Sequence, residues 1–447
     1  MSVPQIASAA GWPTASAPAR SVPSSLLKTA LFCAGLLLPL VTLESGAGRG
    51  ASPFLTDRIT IVDVVTLLIV LSQVWTRGIR VTAAGVVYVH ALTVSLGIGV
   101  AAAATGDEVT AIITAYVAML MAFLYWMLGY AVGRSAPLAR ALMLGVMAGV
   151  AWEFAIVFHD YVTGSPWFMD KLSGRVRGTF KKSGQLGAYG FAVAGLLLTM
   201  GWAVFEGRRT RRWAVLLGCA GIFMVIAASR RSAMIGLGVW LTCFLVTGVR
   251  HAGTGSYKVA LVGFGAIVSV VVVFAEQLAR SFLGQRLTVA FASVAEGSSF
   301  TSMQLTEALE HAPMWFPLGV GLGRWALVTA DYELHNGHLA LLVEAGVFGL
   351  LAFYALASGP LRRDWRSIAS GRAVAVPTLV ATFLLAASVM MLHNRLHRDR
   401  GFMLFLGLAT GLSTSVLCGG RGTVAAPEPP PSSPHQVRPP SHTTRTP

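Results

Sequence analysis

The sequence predicts an all-α polytopic membrane protein with about twelve membrane-spanning helices and two longer extracytoplasmic loops, 159–185 and 276–336. Three observations predict it. Charged residues make up 12% of the chain, hydrophobic residues 55%, and mean hydropathy is +0.67, whereas a soluble domain carries about 25% charged residues. Apolar runs recur at the length of roughly 20 residues that a bilayer requires. Basic residues collect in the short connections on one side of those runs, with few acids beside them.

The elements follow in order. Residues 1–24 are rich in Ser, Ala and Pro and lack a charged segment directly before a short apolar stretch, so a disordered N-terminus is expected rather than a cleaved signal. The transmembrane domain covers 25–418, with spans at 25–44, 59–76, 81–104, 109–132, 137–158, 186–205, 213–229, 232–249, 257–275, 337–358, 373–392 and 402–418. The tail, 419–447, holds Pro429, Pro430, Pro431, Pro434, Pro439 and Pro440 and is expected to be disordered. An even number of spans puts both termini on one side. On that side lie Arg77, Arg80, Arg134, Arg140, Arg208, Arg209, Arg211, Arg212, Arg250, Lys258, Arg362, Arg363, Arg366 and Arg372, beside only Glu206 and Asp364. This side is therefore read as cytoplasmic. The net charge of +15 reports that orientation and not a nucleic-acid partner. Cys33, Cys219, Cys243 and Cys418 fall within or at the ends of apolar spans, and no disulfide framework is expected.

The opposite face carries positive charge that orientation does not require: Lys171, Arg175, Arg177, Lys181, Lys182, Arg230, Arg231, Arg280, Arg286, Arg324, Arg395, Arg398 and Arg400. Anionic headgroups would explain it, and so would a bound polyanion, for which the planar arginine fork is well shaped. Around Met303–Leu309 apolar residues recur at helical spacing, as in a short helix lying on the membrane.

Four motifs on this face carry chemistry. Arg175-Val176-Arg177-Gly178-Thr179-Phe180 precedes the sixth span. Arg230-Arg231-Ser232-Ala233 forms a tight turn between two spans. Pro317-Leu318-Gly319-Val320-Gly321-Leu322-Gly323-Arg324 places glycines at alternate positions, where backbone can approach closely. His335-Asn336, nine residues, Gly346, two residues, Gly349 opens an apolar helix, with His338 about one turn on. Histidine is the side chain best suited to exchange a proton near neutral pH. Two histidines at this spacing could instead hold a metal, with Asp331 or Glu333 as further ligand. Glu344, Glu153 and Asp63 lie inside spans, where an ionisable group needs a partner or a function. Pairing with buried cations and a proton route are the two alternatives for them.

In this order the motifs resemble those of the O-antigen ligase and O-antigen polymerase superfamily. Lys182, Ser183 and Gly184 stand where that family has an Asn-containing turn, and Thr301 and Ser302 where many members carry an arginine. The resemblance implies a metal-independent, inverting glycosyltransferase without cofactor, in the bacterial cytoplasmic membrane with its site facing outward. It would move an oligo- or polysaccharide from undecaprenyl or another polyprenyl pyrophosphate to a lipid, glycan or protein acceptor. It implies catalytic roles for His335, Arg231 and Arg175, Arg230 being the other candidate for the family's arginine. Arg177, Arg230, Lys182, Arg286, Arg324, Asn336 and His338 would bind substrate. Arg395 and Arg398, in the last outer loop, are expected to tolerate alanine better than Arg175 and Arg231. Ligase and polymerase remain alternatives, and a polyprenyl-linked glycan transporter is the further one; that would show Gly- or Pro-broken helices in matching halves and ionisable residues at mid-membrane.

Overall fold

The computed structural model describes residues 24–42, 61–77, 81–163, 169–170, 175–180, 183–228, 231–251, 300–325, 334–361, 375–392 and 395–419. The protein is mostly helical. In order come α1 (Ser24–Leu36), α2 (Ile61–Arg77), α3 (Ala83–Ala101), α4 (Gly106–Gly133), α5 (Ala136–Thr163), a two-residue antiparallel ladder of β1 (Met169–Asp170) and β2 (Arg175–Val176), and α6 (Ser183–Gly195). A π-helical turn, Leu196–Met200, leads to the short α7 (Gly201–Val204). Then follow α8 (Arg208–Ala227), α9 (Arg231–His251), α10 (Phe300–Glu310), α11 (Ala312–Trp315), α12 (Gly337–Ala357), α13 (Ala375–Met391), a 3-10 turn Leu396–Arg398, and α14 (Arg400–Gly419).

Helices occupy eleven of the twelve apolar runs read from the sequence. The remaining run, 257–275, lies outside the described residues, as do 1–23 and 420–447. Six helices are long and apolar enough to cross a membrane: α3, α4, α5, α6 extended to Met200, α8 and α12. Shorter apolar helices include α1, α2, α9, α13 and α14 in their described parts.

Small residues set the helix pairings, because they let backbones touch. A Cβ on Gly133 of α4 would fall 2.7 Å from the Leu408 carbonyl of α14, and Gly407 and Gly411 of α14 meet the backbone of Trp126 and Tyr130, so these helices run parallel. Gly145 and Gly149 of α5 meet Phe32 and Leu36 of α1 in the same sense. The pairs α6–α8 (Gly190 at Gly221 and Met224), α9–α13 (Gly236 at Met390) and α3–α12 (Ser95 at Glu344) run antiparallel. One end of the bundle therefore gathers the starts of α2, α6, α9, α12 and α14 with the ends of α3, α5, α8 and α13. Every described motif from the sequence sits there. Buried Trp126, Trp240, Tyr88, Tyr125, Phe191, Phe353, Phe383 and Phe405 fill the core beneath it.

Candidate functional site

Two local structures dominate this end. The first is the turn after β2. Gly178 takes φ 56°, and Thr179 is tied to α5: its N–H donates to Glu153 Oε1 at 3.0 Å and its hydroxyl to Glu153 Oε2 at 2.8 Å. Phe180 is buried against Tyr189 of α6, ring centroids 5.1 Å apart. Glu153 thus fixes the Arg177–Phe180 turn. Arg177 is half-buried, and among the described residues its Nε has no hydrogen-bond partner.

The second is a break in α12. Gly346 has φ 71° and ψ −176°, a conformation open essentially to glycine alone. The break withdraws intrahelical partners, and the glycine run of 317–323 supplies replacements. Val320 N–H donates to the Val343 carbonyl (2.9 Å), Gly321 N–H to the Glu344 carbonyl (3.1 Å), and Val347 N–H to the Pro317 carbonyl (2.9 Å). Ser95 Oγ adds a bond to the Glu344 carbonyl at 2.7 Å. The alternate glycines are explained by this seat: a Cβ on Gly319 would lie 2.6 Å from the Glu344 carbonyl.

The histidines stand at the start of α12. His335 is exposed, and its N–H donates to Gln304 Oε1 of α10 at 3.0 Å. Asn336 caps the helix, its Oδ1 accepting from the N–H groups of His338 and Leu339, each at 3.0 Å. His338 is wedged: Nε2 lies 2.8 Å from the Ser388 carbonyl of α13, and Nδ1 lies 2.7 Å from the Tyr354 hydroxyl. Asn336 and His338, expected to bind substrate, therefore have structural partners for these atoms.

The other expected residues are placed as follows. The backbone of Arg175 stands opposite that of Asp170 in the register of the ladder. Arg231 opens α9 at the same end of the bundle. Arg324 lies on the α3 side, donating from Nη2 to the Ala102 carbonyl at 2.7 Å and so closing the end of α3. Arg230, Lys182 and Arg286 lie outside the described residues.

The segment 395–401, whose arginines the sequence places among the outer cations without naming their partners, connects the two local structures. Arg395 Nε donates to the Leu334 carbonyl beside His335. Arg398 Nη2 pairs with Glu344 Oε2 at 2.6 Å, with side chains 17% and 4% exposed. Arg400 Nε meets Asp63 Oδ1 of α2 at 3.1 Å, and its Nη2 donates to Oδ2 at 3.1 Å. Asp399 Oδ1 accepts from Phe402 N–H at 2.7 Å and caps α14; burial raises its carboxyl above the ordinary carboxylate range. His397 is buried against Phe353, and its pKa is held well below the ordinary range, chiefly by burial and then by Arg398, Arg395 and His338. Gly401 packs toward Tyr189 and Ala192 of α6. Of the three acids left open by the sequence, Glu344 and Asp63 are partners of buried cations, and Glu153 instead anchors a turn. The signal for Arg398 and Arg400 was present: arginines in a connection too short to be solvated freely, and carboxylates inside apolar spans.

Among the described residues no group of three His, Cys, Asp or Glu side chains is placed to hold a metal ion. No protein-family model matches the chain, and no curated protein matches it at a significant level. The fold and the site define a mostly helical protein with six helices long and apolar enough to cross a membrane and a polar, cation-rich end.

Proposed function

We propose that the protein transfers an oligo- or polysaccharide from a polyprenyl pyrophosphate, such as undecaprenyl pyrophosphate, to an acceptor hydroxyl at the outer face of a bacterial cytoplasmic membrane, in the manner of an O-antigen ligase. One observation carries this reading. Segment 395–401 touches both the His335 end of α12 and the α6 surface on which the Arg177 turn rests. A proton acceptor and a half-buried cation thus share one end of the bundle, next to apolar helices that can face a lipid chain.

On this reading the acceptor oxygen attacks the anomeric carbon as the bond to the phosphate oxygen breaks, with inversion. The acceptor proton passes to His335, and the carrier leaves as polyprenyl pyrophosphate. Negative charge grows on the leaving pyrophosphate, and fixed cations stabilise that growth more than they stabilise the ground state. Arg177, Arg175 and Arg231 are assigned this role. Polymerase activity differs only in the acceptor, a growing chain in place of a lipid or protein.

A second reading draws on the break at Gly346, where the buried Arg398–Glu344 pair lies inside the helix run. Interrupted helices with buried ionisable groups also mark transporters, although no second break of this kind occurs among the described residues. The test uses purified protein in vesicles loaded with a polyprenyl pyrophosphate-linked oligosaccharide. Transfer predicts release of free polyprenyl pyrophosphate and a glycosylated acceptor, both lost in His335→Ala. Movement of intact donor across the bilayer without release would favour the transporter and overturn the transferase.

A further inference from the structure

We infer that the Arg398–Glu344 ion pair holds α12 broken at Gly346 and thereby places His335, which makes Arg398 and Glu344 positioning residues. The consequence for catalysis rests on the transfer reading; the role of the pair in the break does not.

Backbone satisfaction alone does not select the break. In a continuous helix the carbonyls of Val343 and Glu344 would find their partners four residues on, so the bonds from Val320 and Gly321 replace what the break removes. The side chain of Glu344 differs. Buried and almost wholly shielded, it needs a cation, and Arg398 supplies it from a turn fixed on both sides. Arg395 holds that turn to the Leu334 carbonyl and Arg400 holds it to Asp63.

The first half of α12 is therefore bracketed by two arginines of one turn. Arg395 grips the chain just before His335, and Arg398 grips Glu344 just before the break. Buried ion pairs are best attested as devices that set register rather than as sources of stability. With both grips in place, the half-helix has one position along its axis, and the imidazole of His335 has one location relative to the Arg177 turn.

The test is hydrogen exchange at the amides of Val320, Gly321 and Val347, which donate into the break, alongside transfer kinetics. The double variant Glu344→Gln with Arg398→Met removes the pair without stranding a buried charge. Exchange at these three amides should rise about tenfold or more while other helices keep their protection. In transfer, kcat should fall while the donor KM stays within about twofold. Arg398→Lys keeps the charge and should retain near-native exchange. Native exchange in the double variant would overturn the proposal. If that variant does not fold, Glu344→Asp decides, because its carboxylate is drawn back from Arg398: faster exchange supports the proposal and native exchange overturns it. Exchange needs no glycan, so faster exchange together with no transfer by the native protein would sink the transfer reading alone.

Discussion

Glu153 and Thr179 are joined twice: the carboxylate accepts the backbone N–H at 3.0 Å and the hydroxyl at 2.8 Å. A buried acid on α5 thus holds a turn that carries Arg177. Glu153→Ala leaves two donors without an acceptor, each costing about 1–3 kcal/mol when buried. The variant should unfold at lower temperature in detergent, and transfer should fall with the loosened turn. Glu153→Gln keeps an acceptor oxygen and should lose less. Native unfolding and native transfer in Glu153→Ala would show that the turn holds itself.

Asp63 and Arg400 tie α2 to the start of α14, with side chains 0% and 16% exposed. Removing one partner strands the other, at a cost of about 3–5 kcal/mol. Asp63→Ala and Arg400→Ala should each be poorly inserted or markedly destabilised, whereas Asp63→Leu with Arg400→Met should be nearer the native protein. The measurement is folded yield and thermal unfolding of all three. A double variant as damaged as the sum of the singles would show that the two residues act separately.

The fold was legible in the sequence to the extent that hydropathy dictates it. Spans such as 109–132 and 337–358 correspond to α4 and α12 within a few residues, because hydrocarbon permits few alternatives to a helix. The glycine run was recognised as a place of close backbone approach, but not its partner: that Gly319 and Gly321 meet Gly346 and Gly99 depends on tertiary packing of segments far apart in the chain. Likewise His338 reads as a site residue by its spacing from His335; α13 brings Ser388 to it, and beyond the break at Gly346 the same helix α12 brings Tyr354 to it. Arg395 and Arg398, in the last outer loop, were expected to tolerate alanine better than Arg175 and Arg231, because the sequence names no partner for them. The positions of Leu334 and Glu344, more than fifty residues away, give them their partners.

Gly346 occupies a backbone region that other residues enter at a cost of about 1–3 kcal/mol, and an added Cβ would lie 2.5 Å from the Pro317 carbonyl. Gly346→Ala should therefore both destabilise the protein and push the glycine run from its seat. Gly97→Ala is the control, since open space surrounds that position. Equal unfolding temperatures for the two variants would mean that the break is not strained by a side chain.

His397 gives the fold a pH dependence. Its folded pKa is depressed, by burial first and by Arg398, Arg395 and His338 after that. The unfolded chain therefore binds this proton at a higher pH than the folded one. Stability is full above the unfolded value of 6.5 and falls as pH drops below it, by up to about 1.4 kcal/mol per pH unit until the folded pKa is reached. His397→Gln should flatten unfolding temperature against pH in this window. An unchanged slope would assign the dependence to other groups.

The last prediction concerns His335. The peptide group that precedes its Cα is pinned twice: Gln304 accepts the His335 N–H, and Arg395 donates to the Leu334 carbonyl, while the residue stays exposed at the start of α12. Such a clamp fixes the backbone and leaves the side chain accessible to an incoming hydroxyl. A positioned general base contributes about 10²- to 10⁴-fold. His335→Ala should therefore lower kcat at least about 100-fold while the protein folds and binds donor normally. His338→Ala should present the opposite pattern, a lower unfolding temperature from the loss of its bonds to Tyr354 and Ser388, with a smaller loss of kcat in the fraction that folds. Donor affinity, turnover and unfolding temperature measured on both variants separate the two roles. If His335→Ala abolishes donor binding yet spares turnover at saturating donor, His335 is a ligand-holding residue and the proton must go elsewhere.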